Sequence, residues 1–170
     1  AIIDLNVSSK ATDVSVWWYT NSSGNVNSTS KTLGNNFTGL TWNEGYNSVI
    51  IYMNDTSANI NSSYVNFTVD TKLPNIYLDS PVNNSNYSSA NININASAVD
   101  SGTGVRTYWY SNNSGTTNRT FTPNVTLTWD EGNNFIFVWV NDTAGNRNYT
   151  SANFTVDTKL PNIYLDSPVN

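Results

Sequence analysis

The sequence predicts an all-β protein made of two tandem β-sandwiches, and three observations lead to this prediction. The segment NFTVDTKLPNIYLDSPVN occurs at Asn66–Asn83 and again, letter for letter, at Asn153–Asn170. Short alternating runs rich in Val, Ile, Thr and aromatic residues are separated by clusters of Asn, Gly, Ser and Pro, as in strands joined by turns. No stretch has the 3.6-residue period of an amphipathic helix.

The repeat extends beyond the identical segment. The same offset of 87 residues aligns LTWNEGYN at Leu40–Asn47 with LTWDEGNN at Leu127–Asn134. Further upstream, WWYTNSSG at Trp17–Gly24 matches YWYSNNSG at Tyr108–Gly115. The chain is therefore read as two copies of one unit of about 87 residues.

In the second copy the alternation predicts seven strands. They are Asn75–Asp79, Asn91–Val99, Val105–Ser111, Arg119–Thr122, Val125–Thr128, Asn134–Asn141 and Tyr149–Val156. This number of short strands in one unit matches a sandwich of the immunoglobulin type. Such sandwiches often carry a core Trp on the third strand, so Trp109 and its counterpart Trp18 are expected to point inward.

The two copies begin at different points of the unit. Aligning Ala1 with Ala90 leaves the first copy without a counterpart of Leu73–Pro81, the first strand of the second copy. We therefore predict a first domain at residues 1–70 that lacks its first strand, a complete domain at 71–157, and a strand without a domain at 158–170. The last segment is either a donor strand or the start of a next repeat.

A sandwich without an edge strand exposes unpaired backbone groups beside an open core, which invites strand addition. The sequence therefore predicts head-to-tail assembly, in which this last segment completes the first domain of the next copy. The alternative is that 170 residues are a window of one giant tandem-repeat surface protein. The predicted donor strand consists of Leu160, Pro161, Asn162, Ile163, Tyr164, Leu165, Asp166, Ser167 and Pro168.

Composition excludes several classes of function. The chain has no Cys and no His, so disulfides, thiolate or imidazole metal sites and Ser-His or Cys-His relays are absent. Its seven basic residues are scattered singly, which argues against nucleic acid as a partner. The longest apolar run, Phe135–Val140, is too short for insertion into a membrane. We predict no cofactor and no enzymatic activity.

The surface is expected to be covered. Only 11% of residues are charged, against about 25% in average soluble proteins, whereas the chain contains 31 Asn, 21 Ser and 21 Thr. With 31 Asn and 42 Ser or Thr in 170 residues, chance gives about 8 N-glycosylation sequons, yet sixteen occur. We therefore expect N-linked glycans. The sequon asparagines are Asn6, Asn21, Asn27, Asn36, Asn54, Asn61, Asn66, Asn83, Asn86, Asn95, Asn112, Asn118, Asn124, Asn141, Asn148 and Asn153.

An aromatic patch is the second predicted surface feature. If Ile136, Val138 and Val140 point into the sandwich, alternation turns their neighbours outward. We interpret this patch as an interface between domains or subunits. One alternative is that the patch binds sugars. A purely structural alternative is that loops cover the patch, or that the inward and outward faces of the strands are the reverse of those assumed here. The predicted interface residues are Trp17, Tyr19, Tyr52, Tyr108, Tyr110, Phe135, Phe137 and Trp139.

Carboxylates recur at equivalent turns, as in the pairs Glu44/Glu131 and Asp55/Asp142. Such carboxylates are expected to accept backbone N–H bonds that shape the loops. A weaker prediction is a calcium site at Asp70 or Asp157, near the domain junction.

The string LTWDEGNNFIFVWVNDTAGNRNYTSANFTVDTKLP resembles the bacterial and archaeal immunoglobulin-like repeats found in tandem in cell-surface and S-layer-associated proteins. Those repeats run from an E-G-x-N turn to a D-x-x-G-N turn and end in V-D-T before a Pro. The first copy departs from this pattern at Asp55–Asn59, which lacks the Gly. The matching residues are Glu131, Gly132, Asn134, Asp142, Gly145, Asn146, Val156, Asp157, Thr158 and Pro161.

The resemblance implies an extracellular location and a structural or adhesive role, and dense sequons without Cys are most similar to archaeal surface proteins. From these observations we predict the structural subunit of an N-glycosylated filament or surface fibre whose partner is a copy of itself. The alternative is a carbohydrate-binding adhesin module with surface glycans as partners.

Overall fold

The computed structural model describes residues 2–21, 28–112 and 119–167, and the fold is all-β, as predicted. None of these residues forms a helix long and apolar enough to cross a membrane. The chain divides into two compact units, Ala1–Thr71 and Lys72–Asn170, which are called unit 1 and unit 2 below.

Unit 1 contains one three-stranded antiparallel sheet in the order β1-β2-β3. A second layer forms where the segment from Ile2 to Leu5 pairs with Phe37–Thr41, with the Leu5 N–H donating to the Phe37 carbonyl over 2.9 Å. The buried core of unit 1 consists of Leu5, Trp17, Tyr19, Phe37 and Val49. The strands are β1 (Val14–Asn21), β2 (Gly45–Asp55) and β3 (Ile60–Val69).

Unit 2 is built from eight strands in its described part. They are β4 (Asn75–Ser80), β5 (Ser85–Tyr87), β6 (Asn91–Val99), β7 (Val105–Asn112), β8 (Arg119–Phe121), β9 (Val125–Thr128), β10 (Gly132–Asp142) and β11 (Arg147–Val156).

The strands of unit 2 form a five-stranded sheet in the order β5-β11-β10-β7-β8 and a three-stranded sheet in the order β4-β6-β9. Ile92 and Ile94 from the smaller sheet share one buried cluster with Ile136, Val138 and other residues of the larger sheet. Because apolar side chains of both sheets fill one core, the two sheets face each other as a β-sandwich.

The seven strands predicted for the second copy are all present, with ends within about two residues of their predicted positions. The short strand β5 escaped prediction because its sequence, Ser-Asn-Tyr, has the composition of a turn. It pairs in parallel with the end of β11, from Phe154↔Ser85 to Val156↔Tyr87. The chain segment before β6 therefore contributes one strand to each sheet.

The inward direction of Ile136, Val138 and Val140 is confirmed, since all three are fully buried. The inward direction expected for Trp109 is wrong. Trp109 lies directly opposite Trp139 on the outer face, and the two indole rings are parallel at 6.3 Å. Alternation shows which residues of one strand share a face, but the register with β10 decides which face that is.

The same one-residue shift affects four of the predicted interface aromatics. Trp17 and Tyr19 are buried in unit 1, and Tyr110 is buried in unit 2. Tyr108 shares the inward face with Tyr110, and its ring contacts Phe121 at 6.1 Å. The expectation that these four side chains face outward is therefore wrong. The core Trp residues are Trp17 in unit 1 and Trp129 in unit 2.

Candidate strand-binding groove

In unit 2, strand β4 fills a groove at the edge of the sandwich core. Strand β4 pairs with β6 in antiparallel register, and its Ile76 and Leu78 pack against the core. Tyr77 lies between them in the strand and is exposed, while Pro74 and Pro81 at the two ends are fully buried. Alternating inward and outward side chains are what an edge strand over a core requires.

Polar bonds hold the same segment in place. The Asn148 side-chain amide on β11 donates to the Pro74 carbonyl over 2.9 Å. Beyond β4, the Asn153 N–H donates to the Asn83 Oδ1 over 2.9 Å, and the Asn84 N–H donates to the Asn153 carbonyl over 2.6 Å. The segment thus closes both the core and the edge of the larger sheet.

Unit 1 has the equivalent surfaces without that cover. Among its described residues, β3 pairs only with β2, and the segment from Ile2 to Leu5 pairs only with Phe37–Thr41. No described residue of unit 1 takes the position of β4 or β5. Unit 1 therefore presents an uncovered strand edge on each of its two layers.

Apolar side chains of unit 1 are more exposed than their counterparts in unit 2, where β4 and β5 are present. Val65 on β3 is 44% exposed, whereas its counterpart Ala152 in unit 2 is 2% exposed. Ile3 is 38% exposed, whereas its counterpart Ile92 is 4% exposed. Equivalent positions are thus buried in one unit and open to solvent in the other. The apolar surface of unit 1 is that of a sandwich core left open on one side.

A groove of about 310 Å³ lies at this opening. Three of its apolar residues, Val7, Ile51 and Met53, correspond to Ala96, Val138 and Val140, which are buried in unit 2. Its polar wall includes Asn61, the counterpart of Asn148. The complete lining consists of Asn6, Val7, Ser8, Ile51, Met53, Asn61, Ser62 and Ser63.

The segment that would fit this groove occurs a second time at the end of the described chain. Residues 160–167 form no strand, and their side chains are exposed, with Ile163 at 89% and Leu165 at 82%. Pro168, the last residue of the predicted donor strand, lies outside the described residues. The same sequence, LPNIYLDS, thus contains an edge strand packed on the core at 73–80 and is an exposed segment without a strand at 160–167.

Repeated carboxylates shape the loops at the ends of the strands, as predicted. Glu131 accepts the Thr158 N–H and the Thr158 hydroxyl, each over 2.9 Å. Glu44 binds Thr71 in the same way, over 2.8 and 2.9 Å. In unit 2 this contact fixes the point at which the chain leaves the sandwich, one residue before Lys159.

Asp55 and Asp142 organise the turn after the long strand. The Asp55 Oδ1 accepts the backbone N–H groups of Ser57 and Asn59, and its Oδ2 accepts the Asn59 side-chain amide. These bonds, with the Asn59 side chain as the largest cause, lower the pKa of Asp55 below its ordinary value. In the equivalent turn of unit 2, the Asp142 Oδ1 accepts the backbone N–H groups of Gly145 and Asn146, and its Oδ2 accepts the Asn146 side-chain amide.

The carboxylates of the predicted calcium site lie in different settings. Asp70 is buried in unit 1, and Asp157 is exposed in unit 2, where its Oδ1 accepts the Lys159 N–H over 3.1 Å. A calcium ion needs several oxygen ligands together, so a single carboxylate at Asp70 or at Asp157 does not form a binding site. A calcium site at these residues stays a prediction.

The outer face of unit 2 carries a row of aromatic side chains, defined as Phe135, Phe137, Trp139, Trp109 and Tyr149 and called the aromatic row below. Each ring contacts at least one other member, with centroid distances of 4.5 Å for Phe135–Phe137 and 4.6 Å for Trp139–Tyr149. In unit 1 the outer face carries Trp18 stacked on Tyr52 at 5.5 Å. Tyr52, Phe135, Phe137 and Trp139 therefore lie on outer faces, and their role as an interface stays a prediction.

The sequons differ in accessibility. Asn27 and Asn118 lie outside the described residues. The half-buried sequon asparagines are Asn21, Asn54, Asn95, Asn112, Asn141 and Asn148. The exposed ones are Asn6, Asn36, Asn61, Asn66, Asn83, Asn86, Asn124 and Asn153.

Comparison with known proteins gives similarity in structure only. No protein-family model and no curated protein matches the chain. A structure of the Clostridium thermocellum CbhA fibronectin(III)-like modules matches with a TM-score of 0.56 and 18% identity, covering 98% of this chain and 91% of the other. A second structure, of Dpr11 IG1 bound to DIP-gamma IG+IG2, matches with a TM-score of 0.32 and 9% identity, covering 92% and 89%.

The similarity to the fibronectin(III)-like modules supports an immunoglobulin-like β-sandwich fold for the chain. Since one fold serves many functions, the function has to be argued from the groove and the surface residues.

Proposed function

We propose that the protein is a structural subunit of an extracellular, N-glycosylated filament, in which the segment Leu160–Pro168 of one copy fills the groove of unit 1 in the next. The observation that carries this proposal is that the identical segment Leu73–Pro81 fills the equivalent groove in unit 2. The groove and a segment that fits its counterpart are therefore both present in one chain.

The pairing in unit 2 predicts the register of the bound strand. Because Ile76 pairs with Ala98 and Leu78 with Ala96, Ile163 is expected opposite Ser9 and Leu165 opposite Val7. By the same equivalence, the Asn61 amide would donate to the Pro161 carbonyl, as Asn148 does to Pro74. Tyr164 would face outward, as Tyr77 does.

Hydrophobic burial favours this pairing. Ile163 and Leu165 are almost fully exposed, whereas their counterparts Ile76 and Leu78 are half-buried, so the burial of each side chain contributes roughly half of the 1.5–3 kcal/mol of full burial. Burial of Ile3 and Val65 beneath or beside the added segment contributes further, and new backbone hydrogen bonds satisfy an open strand edge. The donor and acceptor surfaces lie on different parts of the chain, so the contact is heterologous and propagates as an open filament.

The surface composition supports the extracellular, glycosylated setting. The sequons are about twice as frequent as composition predicts, and six exposed sequon asparagines lie outside the groove lining, namely Asn36, Asn66, Asn83, Asn86, Asn124 and Asn153. N-linked glycans are hydrophilic and would cover a surface that carries few charges.

The decisive experiment separates donor from acceptor. A donor variant carries Ile163→Asp and Leu165→Asp, and an acceptor variant carries Val7→Asp. Each alone is expected to remain unassembled, because a carboxylate buried in the groove weakens binding by roughly 100-fold or more. Mixed together, the two variants should form a heterodimer that cannot extend, since one intact tail meets one intact groove.

Tyr164→Ser is the matched control, because this side chain is expected to face solvent, and filaments of normal length should form. Electron microscopy and analytical ultracentrifugation measure all four samples. Filaments from the donor variant would contradict the proposal. Intact mass of the denatured polymer then distinguishes separate subunits from the alternative, one giant chain in which the same contact is intramolecular.

The aromatic row favours a second candidate function, a carbohydrate-binding adhesin module. Trp109 and Trp139 present parallel rings, and Tyr149 beside them is exposed. Flat aromatic surfaces of this kind bind the apolar faces of sugar rings. Binding on a glycan array that disappears in a Trp139→Ala variant, while filaments persist, would favour this function over a purely structural one.

A further inference from the structure

An open cavity of unit 2 surrounds the sequon asparagine Asn153 and has a volume of about 780 Å³. This volume falls in the range of roughly 300–1,000 Å³ that small-molecule sites occupy. Its lining is almost entirely uncharged and polar, with one accessible aromatic ring. The lining residues are Asn84, Ser85, Asn133, Asn134, Phe135, Asn153, Phe154 and Thr155.

Strand alternation directs the Asn153 side chain outward at this cavity. On β11, Phe154 points into the core and is buried, so Asn153 and Thr155 point to the outer face. The backbone N–H and carbonyl of Asn153 are held by Asn83 and Asn84. The attachment point for a sugar is therefore fixed in position on a rigid strand.

Phe135 lies directly across from Asn153 in the antiparallel pair β10–β11. Directly opposed residues place their Cβ atoms roughly 4.5–5.5 Å apart on the same face of the sheet. The Phe135 ring is half-buried, and it packs edge-to-face on Phe137 at a centroid distance of 4.5 Å. One ring is thus held beside the Asn153 amide as the end of the aromatic row.

The chemistry of an N-linked sugar suits this arrangement. The C–H face of a pyranose ring is apolar and packs on aromatic rings, while its hydroxyl groups need hydrogen-bond partners. Asn84, Ser85 and Asn133 supply such partners around the cavity. A sugar attached to Asn153 would therefore find an apolar surface on one side and polar groups around its rim.

Unit 1 provides an internal control for this reasoning. Asn66 occupies the same position on β3 in an identical sequon, Asn66-Phe67-Thr68. The residue directly across from Asn66 is Ser48, where unit 2 has Phe135. The two sequons share sequence and strand position, but they differ in the side chain opposite and in the segment Asn83–Ser85, which has no described counterpart in unit 1.

We propose that Asn153 carries an N-linked glycan whose first sugar packs on Phe135 in this cavity, so that the glycan forms part of the folded surface of unit 2. A glycan on Asn66 lacks the aromatic contact and extends into solvent. This inference rests on the glycosylation included in the proposed function, but it does not depend on filament assembly.

The test combines site-specific mass spectrometry with a thermal double-mutant cycle on protein from its native producer. Asn153→Gln is expected to lower the melting temperature of unit 2 by on the order of 4–8 °C, the shift of one good packing contact. In the Phe135→Ser background the same change should have almost no effect. In unit 1, Ser48→Phe should create a smaller dependence on Asn66, because it adds the aromatic contact without the polar groups of Asn84 and Ser85.

An unoccupied Asn153, or equal losses with and without Phe135, would overturn the inference. If Phe135→Ser prevents folding, NMR of the wild-type glycans decides the matter. Ring-current shifts are expected for the first sugar on Asn153 and not for that on Asn66, and their absence at Asn153 overturns the proposal. Electron microscopy of the same samples reports assembly separately, so loss of the glycan and loss of the filament are distinguishable.

Discussion

Units 1 and 2 are built from one repeated sequence pattern, yet their cores differ in extent. In unit 2, Phe154 is buried between Trp129 and Tyr87, with ring centroids at 4.9 and 5.8 Å. In unit 1, the equivalent Phe67 contacts Trp42 at 5.0 Å and is only half-buried. Tyr87 belongs to β5, which has no described counterpart in unit 1.

The difference teaches that the first-strand segment decides how much of the pattern is buried. The side chains of β3 alternate as those of β11 do, but alternation protects a face only when another layer covers it. Unit 1 therefore holds an immunoglobulin-like fold whose apolar face is left open among its described residues.

Truncation of the equivalent phenylalanines should affect the two units unequally. Phe154→Ala removes a fully packed ring and is expected to lower the free energy of unfolding of unit 2 by about 3–5 kcal/mol. Phe67→Ala removes a half-exposed ring and should lower that of unit 1 by about 2 kcal/mol or less. Hydrogen exchange of the β10 and β2 amides reports the units separately. Equal losses would contradict the difference in core closure.

A synthetic peptide of residues 159–170 should bind the groove of unit 1 and stabilise this unit against unfolding. Added at 100 times its Kd to the donor variant Ile163→Asp, Leu165→Asp, it is expected to stabilise unit 1 by about 2.7 kcal/mol. Exchange at the amide of Ser8 should slow by about 100-fold, because Leu5 pairs with Phe37 on the other side and alternation turns the Ser8 N–H to the open edge, where the bound strand pairs. A peptide carrying the same two Asp substitutions is the control, and protection by that peptide would point to nonspecific binding.

The turns that follow β2 in unit 1 and β10 in unit 2 differ in one backbone position, and the expected change in stability there is smaller. Ala58 in unit 1 adopts φ 65°, and Gly145 at the equivalent position adopts φ 97°. Ala58→Gly is expected to stabilise unit 1 by about 1 kcal/mol, and Gly145→Ala to destabilise unit 2 by about 1–2 kcal/mol. A Cβ at Gly145 meets no atom within 4 Å, so the cost is conformational. Thermal unfolding measures both, and changes of the same sign would disagree with this explanation.

The smallest expected effect concerns the pH dependence of that turn. Because its hydrogen bonds lower the pKa of Asp55 in the folded chain, they stabilise unit 1 fully above the unfolded pKa of about 3.9. This stabilisation is lost as the pH falls through the lower folded pKa. NMR titration of the Asp55 carboxyl group should give a pKa below 3.9. In an Asn59→Ala variant the pKa should rise towards the ordinary value, and an unchanged pKa would exclude Asn59 as its main cause.

Strand positions were predictable because they depend on local chemistry. The Val, Ile and aromatic runs of β6, β7 and β10 alternate with period two, and Gly, Asn and Asp mark their turns. The repeat helped as well, since a turn carboxylate such as Glu131 recurs as Glu44 in the same bonding pattern. The short strand β5 was not predictable, because its pairing with β11 is formed by residues nearly seventy positions away.

Side-chain direction was less predictable than strand position. Trp109 was expected inside because immunoglobulin-type sandwiches often carry a core Trp on the third strand, but Tyr110 occupies the core in its place. Two adjacent aromatic residues satisfy the alternation equally well, and the register Val138↔Tyr110 decides between them. The contact between Asn153 and Phe135 is of the same kind, since it depends on how two strands align.

By itself the sequence determined the two-fold repeat, the all-β class, most strand positions and the existence of two identical first-strand segments. These properties follow from composition, period and turn residues along one stretch of chain. Tertiary contacts were needed to establish which aromatic residues face the core and which copy of LPNIYLDS packs on a core as a strand. An identical segment is a packed strand at 73–80 and exposed at 160–167, because burial depends on the surface that a segment meets.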